Sequence, residues 1–199
     1  ERERLYLDFR FLMFYFNLGI RHITDLQGYD HMLFLLALTL PLSFSLWKPT
    51  LKWITAFTLG HSISLAISAL GWVALPAAWV ELAIAVTIGL TVLIHLFTGF
   101  KVMAHGMWMA GLFGLIHGFG FGSYYTFIAQ SESFWWAWLP FNAGIEAGQI
   151  AVVLCLLFVY WIFQKFGGRS GVYRWLLSGV VLTLSVQMIL NRLPEVFGA

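Results

Sequence analysis

The chain has 199 residues, of which 60% are hydrophobic and only 10% are charged, whereas roughly 25% of the residues in an ordinary soluble domain are charged. This composition excludes a water-soluble globular domain and predicts an integral membrane protein in contact with the lipid bilayer, because lipid tolerates an apolar exterior. The formal net charge is +2, and the basic residues are too scattered to form a nucleic-acid-binding surface.

The first predicted element covers residues 5–20, an apolar stretch that carries Asp8, Arg10 and Asn17. Arg10, Asn17 and Arg21 are spaced by seven and four residues, which places them on one face of a helix. This pattern favours a helix that lies in the membrane interface. The alternative is a seventh membrane span, although the stretch is slightly shorter than a span usually requires.

Six longer apolar runs follow, each of the length that crosses the hydrocarbon core of a bilayer as a helix. They cover residues 29–46, 51–70, 79–99, 107–129, 137–163 and 173–190. Short breaks rich in polar, Gly or Pro residues separate them, so consecutive helices are expected to be antiparallel neighbours. The sequence therefore predicts one all-α membrane domain over residues 1–199, a polytopic helical bundle of six transmembrane helices plus the N-terminal interfacial or seventh membrane helix.

The positions of lysine and arginine in the short loops predict the orientation of this bundle. Beyond the N-terminal segment, only Arg192 falls on one side of a six-span bundle. The other side, which we therefore expect to face the cytoplasm, receives Lys48, Lys52, Lys101, Lys165, Arg169 and Arg174.

Ionisable and amide side chains occur at membrane depth, where a charge costs roughly 2.5–3.5 kcal/mol on insertion scales. Judged by distance from the predicted helix ends, one group lies toward the outer surface: His22, Asp30, His31, Glu81, Asn142 and Glu146. A second group lies near the membrane centre: His61, His117 and Gln149. Any one of them has a structural explanation, such as a carboxylate that caps a helix start. Together they predict one site that opens outward.

Local spacing supports a shared site. Thr58 lies one helical turn before His61, and its hydroxyl and that of Ser62 are expected to orient the imidazole. Small residues every four positions, as at Gly114 and Gly118, would let a neighbouring helix approach closely. A single face of the fifth span carries three polar residues: Asn142, Glu146 and Gln149.

Imidazole and carboxylate groups are the ligand set of divalent transition ions such as zinc, nickel and cobalt. The predicted metal ligands are Asp30, His31, His61, His117 and Glu146. The predicted supporting residues are His22, Thr58, Glu81, Asn142 and Gln149. Ligands at stepped depths suit a permeation pathway, whereas an enclosed pocket with Ser62 or Ser64 near the metal would suit catalysis.

Several of these residues stand in ordered motifs: Gly28-x-Asp30-His31-x-x-Phe34, Thr55 to Ser62, Glu81, Gly114 to Phe121, and Phe141-Asn142-x-Gly144-x-Glu146-x-Gly148-Gln149. Their succession resembles the HupE/UreJ family of bacterial membrane proteins, and its second branch most closely, over roughly residues 16–190. The resemblance implies a nickel or cobalt permease of the inner membrane, associated with hydrogenase and urease systems. It also implies that Asp30 and His31 contact the metal first, with His22 in support. Seven residues separate His22 from Asp30, more than is typical of the family, so His22 is not expected to be a ligand in the family's geometry.

Three hypotheses follow, and the sequence leaves a homo-oligomer or a partner subunit open in each. In the first, the protein is a permease that passes nickel, cobalt or zinc inward. In the second, it is an intramembrane metal-dependent hydrolase or acyltransferase acting on lipid-like substrates, with Ser62 and Glu146 as catalytic residues. A metal-bound water would be the nucleophile, and Glu146 or Asp30 the general base. In the third, it is a membrane anchor or sensor that binds metal only for stability.

Overall fold

The chain is seen in a computed structural model that describes residues 2–102, 106–122, 125 and 134–198, with residues 2–8 described by their backbone alone. These residues form helices and no strand, which confirms the predicted all-α class. A short 3₁₀ helix, Phe44–Leu46, precedes the third of the seven α-helices in the described part of the chain. The α-helices are α1 Arg2–Thr24, α2 Asp30–Thr39, α3 Trp47–Ala69, α4 Ala77–Phe97, α5 Gly106–Phe119, α6 Phe134–Lys165 and α7 Ser170–Phe197.

Three of these helices, α4, α6 and α7, are long and apolar enough to cross a membrane. The count rises to four if α2 and the segment Phe44–Ala69 are taken as one span, although they are bent by 97° relative to each other. Large apolar side chains such as Phe97, Trp108 and Trp175 are exposed on the outside of the bundle, as expected of a surface in lipid. The all-helical class and the presence of candidate membrane spans are therefore confirmed, and the polytopic bundle of six spans stays a prediction.

The segment predicted to span the membrane over residues 29–46 is instead a short helix, Asp30–Thr39. Ten residues at 1.5 Å each make it about 15 Å long, half the thickness of the hydrocarbon core. The helix ends where Pro41 follows, because proline lacks the backbone N–H that would continue it. The segment predicted over residues 107–129 is represented by α5, which ends at Phe119; residues 126–133 lie outside the described residues.

The helices α1 and α2 lie in succession along α6. A methyl group on Gly144 would overlap the carbonyl oxygen of Phe16, and one on Gly148 would lie 3.3 Å from Ile20 and Ile23, so α1 runs parallel to the first half of α6. The end of α2 lies beside the second half of α6 near Leu157. The segment predicted as an interfacial helix over residues 5–20 is thus part of a helix packed on α6. A non-helical segment, residues 25–29, which we call the break, separates this helix from α2.

A second parallel pair, α3 and α5, repeats the contact made by α1 and α6. Gly19 ends the run Phe16-Asn17-Leu18-Gly19, and Gly60 ends the similar run Phe57-Thr58-Leu59-Gly60. A methyl group on Gly19 would overlap the carbonyl oxygen of Phe141, and one on Gly60 would overlap that of Gly111. Glycine is required at both positions because the two backbones touch there. The close approach predicted from the glycine spacing of α5 is confirmed.

The two parallel pairs point in opposite directions, because α3 runs antiparallel to α6. Thr58 donates a hydrogen bond to the amide oxygen of Gln149, and Ser62, one turn later on α3, donates to that of Asn142, which lies earlier on α6. Helices α4 and α7 complete the bundle as an antiparallel pair, in which the Ser185 hydroxyl donates to the carbonyl oxygen of Ala85 at 2.8 Å.

The two ends of the bundle differ in chemistry. At one end the start of α3, the end of α4 and the start of α7 meet, with the rings of Phe100 and Trp175 6.0 Å apart. This end carries the basic residues predicted to share one side. Between the middle of the bundle and its other end, a cavity is surrounded by residues 25–29, the start of α4 and the end of α7. We call these the basic end and the cavity end.

Candidate metal centre

Four histidine rings from four different helices meet beside the cavity. We call His22 of α1, His31 of α2, His61 of α3 and His117 of α5 the histidine cluster. The ring centre of His31 lies 4.6 Å from that of His22, 5.8 Å from that of His61 and 5.4 Å from that of His117. His22 and His61 are 5.6 Å apart. The histidines that the sequence placed at different depths are therefore close together.

The spacing of the cluster is close to that of a metal site. One nitrogen each from His22, His31 and His61 lies within 4.8 Å of the other two. Imidazole nitrogens bind zinc at 2.0–2.1 Å, so two nitrogens on one ion are at most about 4.2 Å apart. A small inward shift of the three rings would bring them to bonding distance.

Five ring nitrogens of the cluster lack hydrogen-bond partners within the described part of the chain. This holds for Nε2 of His22, His31 and His117 and for both nitrogens of His61, all of which are buried. An unpaired buried polar atom costs roughly 1–3 kcal/mol, so such atoms normally have a partner. A cation that accepts several nitrogen lone pairs would satisfy this set, and the residues present therefore fit a transition ion.

Neighbouring groups fix the orientation of two rings. Nδ1 of His31 lies 3.2 Å from a carboxylate oxygen of Asp30, which also accepts the backbone N–H of His31 at 2.9 Å. Nδ1 of His117 donates to the carbonyl oxygen of Phe113 at 2.8 Å. With Nδ1 protonated in each ring, Nε2 keeps the lone pair that binds a metal. Asp30, predicted as a direct ligand, is placed here behind His31.

The cavity beside the cluster has a volume of about 470 Å³ and is lined by His22, His31 and His117 together with residues 27–30. Glu81 and Arg192 also line it and form an ion pair at 2.8 Å between α4 and α7. Glu81 is thus placed beside the cavity, at the same end as the cluster, as its predicted position at the start of a span requires. The cluster is accessible from this end of the bundle.

Three buried phenylalanine rings close the cluster on the side away from the cavity. Phe34 and Phe57 stack with ring centres 4.8 Å apart, and each lies 5.1 Å from the ring of His117. Phe113 lies 6.1 Å from Phe34. We call these three rings the aromatic layer. The cluster therefore opens toward the cavity end and is sealed toward the basic end.

The remaining predicted residues join α3 to α6 instead of facing the cluster. The hydroxyl groups of Thr58 and Ser62, expected to orient His61, donate to Gln149 and Asn142. The carboxylate of Glu146 accepts a hydrogen bond from Thr55 at 2.6 Å and does not line the cavity. Ser62 does not line it either. The two residues predicted to be catalytic in a hydrolase are thus apart from the cavity.

His22, which the sequence spacing set aside as a ligand, is a member of the cluster, with its ring centre 4.6 Å from that of His31 and 5.6 Å from that of His61. The residues between His22 and Asp30 form the end of α1 and the break at 25–29, and the rings of His22 and His31 are in contact despite this longer spacing. Close packing of Gly19 against α6 brings this part of α1 into the bundle. The signal in the sequence was the run Phe16 to Gly19, which matches the run that precedes His61.

The comparisons with known proteins agree with the motifs in the sequence. A family model described as HupE / UreJ protein matches residues 7–192, a range that includes every histidine of the cluster. No match was found among curated proteins or among solved structures.

Proposed function

Because this chain belongs to the HupE/UreJ family, we propose that it is a permease that binds nickel, cobalt or zinc at the histidine cluster and passes the ion across the bacterial inner membrane. The observation that carries the proposal is the convergence of unpaired, buried imidazole nitrogens from four helices. In this proposal the bundle has six spans, with the basic end in the cytoplasm and the cavity end outside.

The ion, as substrate, enters from the cavity end. The ion-paired carboxylate of Glu81 lies where an arriving cation first meets the protein, and the cavity leads from there to the cluster. His22, His31 and His61 are the proposed ligands, because their nitrogens are mutually closest, with His117 available as a fourth. Asp30 polarises the His31 ring and offsets part of the added positive charge.

Release toward the basic end requires the aromatic layer to part. The rings of Phe34, Phe57 and Phe113 offer no oxygen or nitrogen to replace the water or imidazole around an ion, so a static layer would block it. The described arrangement, open at one end and sealed at the other, corresponds to an outward-open state of a carrier.

Uptake by the purified protein in liposomes tests the proposal. The wild-type protein is expected to accumulate nickel, cobalt or zinc, and His61→Ala and His117→Ala are expected to lose both uptake and high-affinity binding of the transported ion. Gln164→Ala, a change at an exposed residue of the basic end, serves as the matched control. Uptake that is unchanged in both histidine variants would contradict the proposed site. Turnover of a lipid ester or amide without uptake would instead favour the hydrolase hypothesis.

A further inference from the structure

A fifth histidine, His95 near the end of α4, lies outside the histidine cluster. Its side chain is fully buried, and neither ring nitrogen has a hydrogen-bond partner among the described residues. Its ring lies nearly parallel to that of Trp53, at 10° and with centres 6.5 Å apart. A buried imidazole with both nitrogens unpaired is costly, and packing against Trp53 alone does not need a nitrogen-containing ring.

The position of His95 relative to the cluster follows from α3. Trp53, Phe57 and His61 are spaced by four residues on this helix, so they share one face and follow one another at about 6 Å intervals along the axis. Trp53, and with it His95, therefore lies about 12 Å from the level of His61. Phe57 of the aromatic layer lies between them. His95 is thus on the opposite side of the aromatic layer from the cluster.

The chemistry of this position suits a transient stop for a cation. Imidazole binds the same ions as the cluster, and the indole face of Trp53 attracts a cation. The cluster has several nitrogens and the carboxylate of Asp30, whereas one imidazole alone holds an ion weakly. Conduction requires sites weak enough to release the ion, and the weaker site lies nearer the basic end.

We propose that His95 is an inner relay ligand, which receives the transition ion after it passes the aromatic layer and releases it at the basic end. This inference rests on the proposed function, and it assigns the exit step to a residue outside the entry site. His95 then affects the rate of passage and leaves the affinity of the cluster unchanged.

Three substitutions separate a ligand from a packing residue. His95→Phe keeps a ring against Trp53, His95→Gln keeps hydrogen-bonding capacity, and His95→Cys supplies a different transition-metal ligand. Each purified variant is reconstituted in liposomes with Ni²⁺ as the probe, and the maximal uptake rate and half-saturating concentration are measured. Ni²⁺ affinity in detergent verifies that the cluster is intact in each variant.

The relay role predicts that His95→Phe and His95→Gln lower the maximal rate by about tenfold or more, with half-saturation and Ni²⁺ affinity within about twofold of wild type. His95→Cys is expected to be faster than both. A wild-type rate in His95→Gln, or a His95→Cys rate no higher than that of His95→Phe, would overturn the relay. If His95→Phe does not fold, the Gln and Cys variants decide the question. Failure of the wild-type protein to take up metal would overturn the proposed function and the relay with it, whereas wild-type uptake with an unaffected Gln variant overturns the relay alone.

Discussion

The contact between α3 and α5 allows a quantitative prediction about the metal site. Gly60 immediately precedes His61, and a methyl group on it would overlap the carbonyl oxygen of Gly111 and lie 2.9 Å from the backbone nitrogen of Leu115. Backbone atoms within a helix cannot rotate away as a side chain can. Gly60→Ala therefore forces α3 away from α5, which displaces His61 from the partners it has on other helices.

Gly111, on the facing surface of the same interface, provides the matched control. A methyl group there would meet its nearest neighbour, the carbonyl oxygen of Ala56, at 3.5 Å, an ordinary contact. Both substitutions replace a helical glycine by alanine, so both receive the same gain of up to about 1 kcal/mol in helix propensity. The difference between the two variants isolates the steric cost.

We expect Gly60→Ala to lower the free energy of unfolding by about 1–3 kcal/mol relative to Gly111→Ala, the range for overpacked interiors. It should also weaken Ni²⁺ binding by about tenfold, the lower range for disturbed support of a metal ligand. Unfolding is followed by circular dichroism in an SDS titration, and binding by calorimetry. Equal stability of the two variants would refute the inferred backbone contact, and normal affinity in a destabilised Gly60→Ala would refute its link to the site.

Three further substitutions test individual roles around the cluster. Asp30→Asn should weaken Ni²⁺ binding by about 10–100-fold, because the carboxylate orients His31 and raises its basicity; calorimetry at constant pH checks this, and an unchanged affinity would contradict the role. Glu146→Gln should leave Ni²⁺ affinity within about twofold of wild type, because its carboxylate bonds Thr55 and does not line the cavity; a large loss would restore it as a ligand. Arg192→Ala should cost at most about 1 kcal/mol of stability, because its ion pair with Glu81 is partly exposed, and should speed Ni²⁺ uptake at low salt by removing a positive charge from the cavity. Uptake by Arg192→Ala that is slower than wild type at every ionic strength would argue against that effect.

The helical membrane fold was predictable because the lipid environment requires long apolar runs. Hydropathy alone did not predict that α2 is only half the length of a span, because the residues around Pro41 are apolar. The missing N–H of Pro41 ends the helix although the apolar run continues. Depth estimated from distance to a helix end then failed for His31, because it assumed a helix that crosses the whole membrane. The break at residues 25–29 places His31 at the level of His61.

The histidines themselves were recognisable because an ionisable group at membrane depth is costly without a purpose. The hydrogen-bond partners of these histidines were not recognisable, because a hydroxyl such as that of Thr58 can bond within its own helix or to a neighbouring helix. The sequence does not show which of the two occurs. Tertiary packing set Gln149 against Thr58, and the hydroxyl was used to join two helices. The spacing between His22 and Asp30 likewise led to the expectation that His22 is not a ligand. The connection between α1 and α2 accommodates the longer spacing, so the two rings still meet.

The two parallel helix pairs, α1 with α6 and α3 with α5, have a mechanical consequence for the cluster. Glycines seat the helices of each pair backbone to backbone, and three of the four histidines of the cluster are divided between the pairs: His22 belongs to one pair, and His61 and His117 belong to the other. An ion bound by His22 and His61 would crosslink the two helix pairs. In the proposed carrier, such an ion would add to the hydrogen bonds that Thr58 and Ser62 already make between the two pairs, so the pairs would separate more readily when the site is empty.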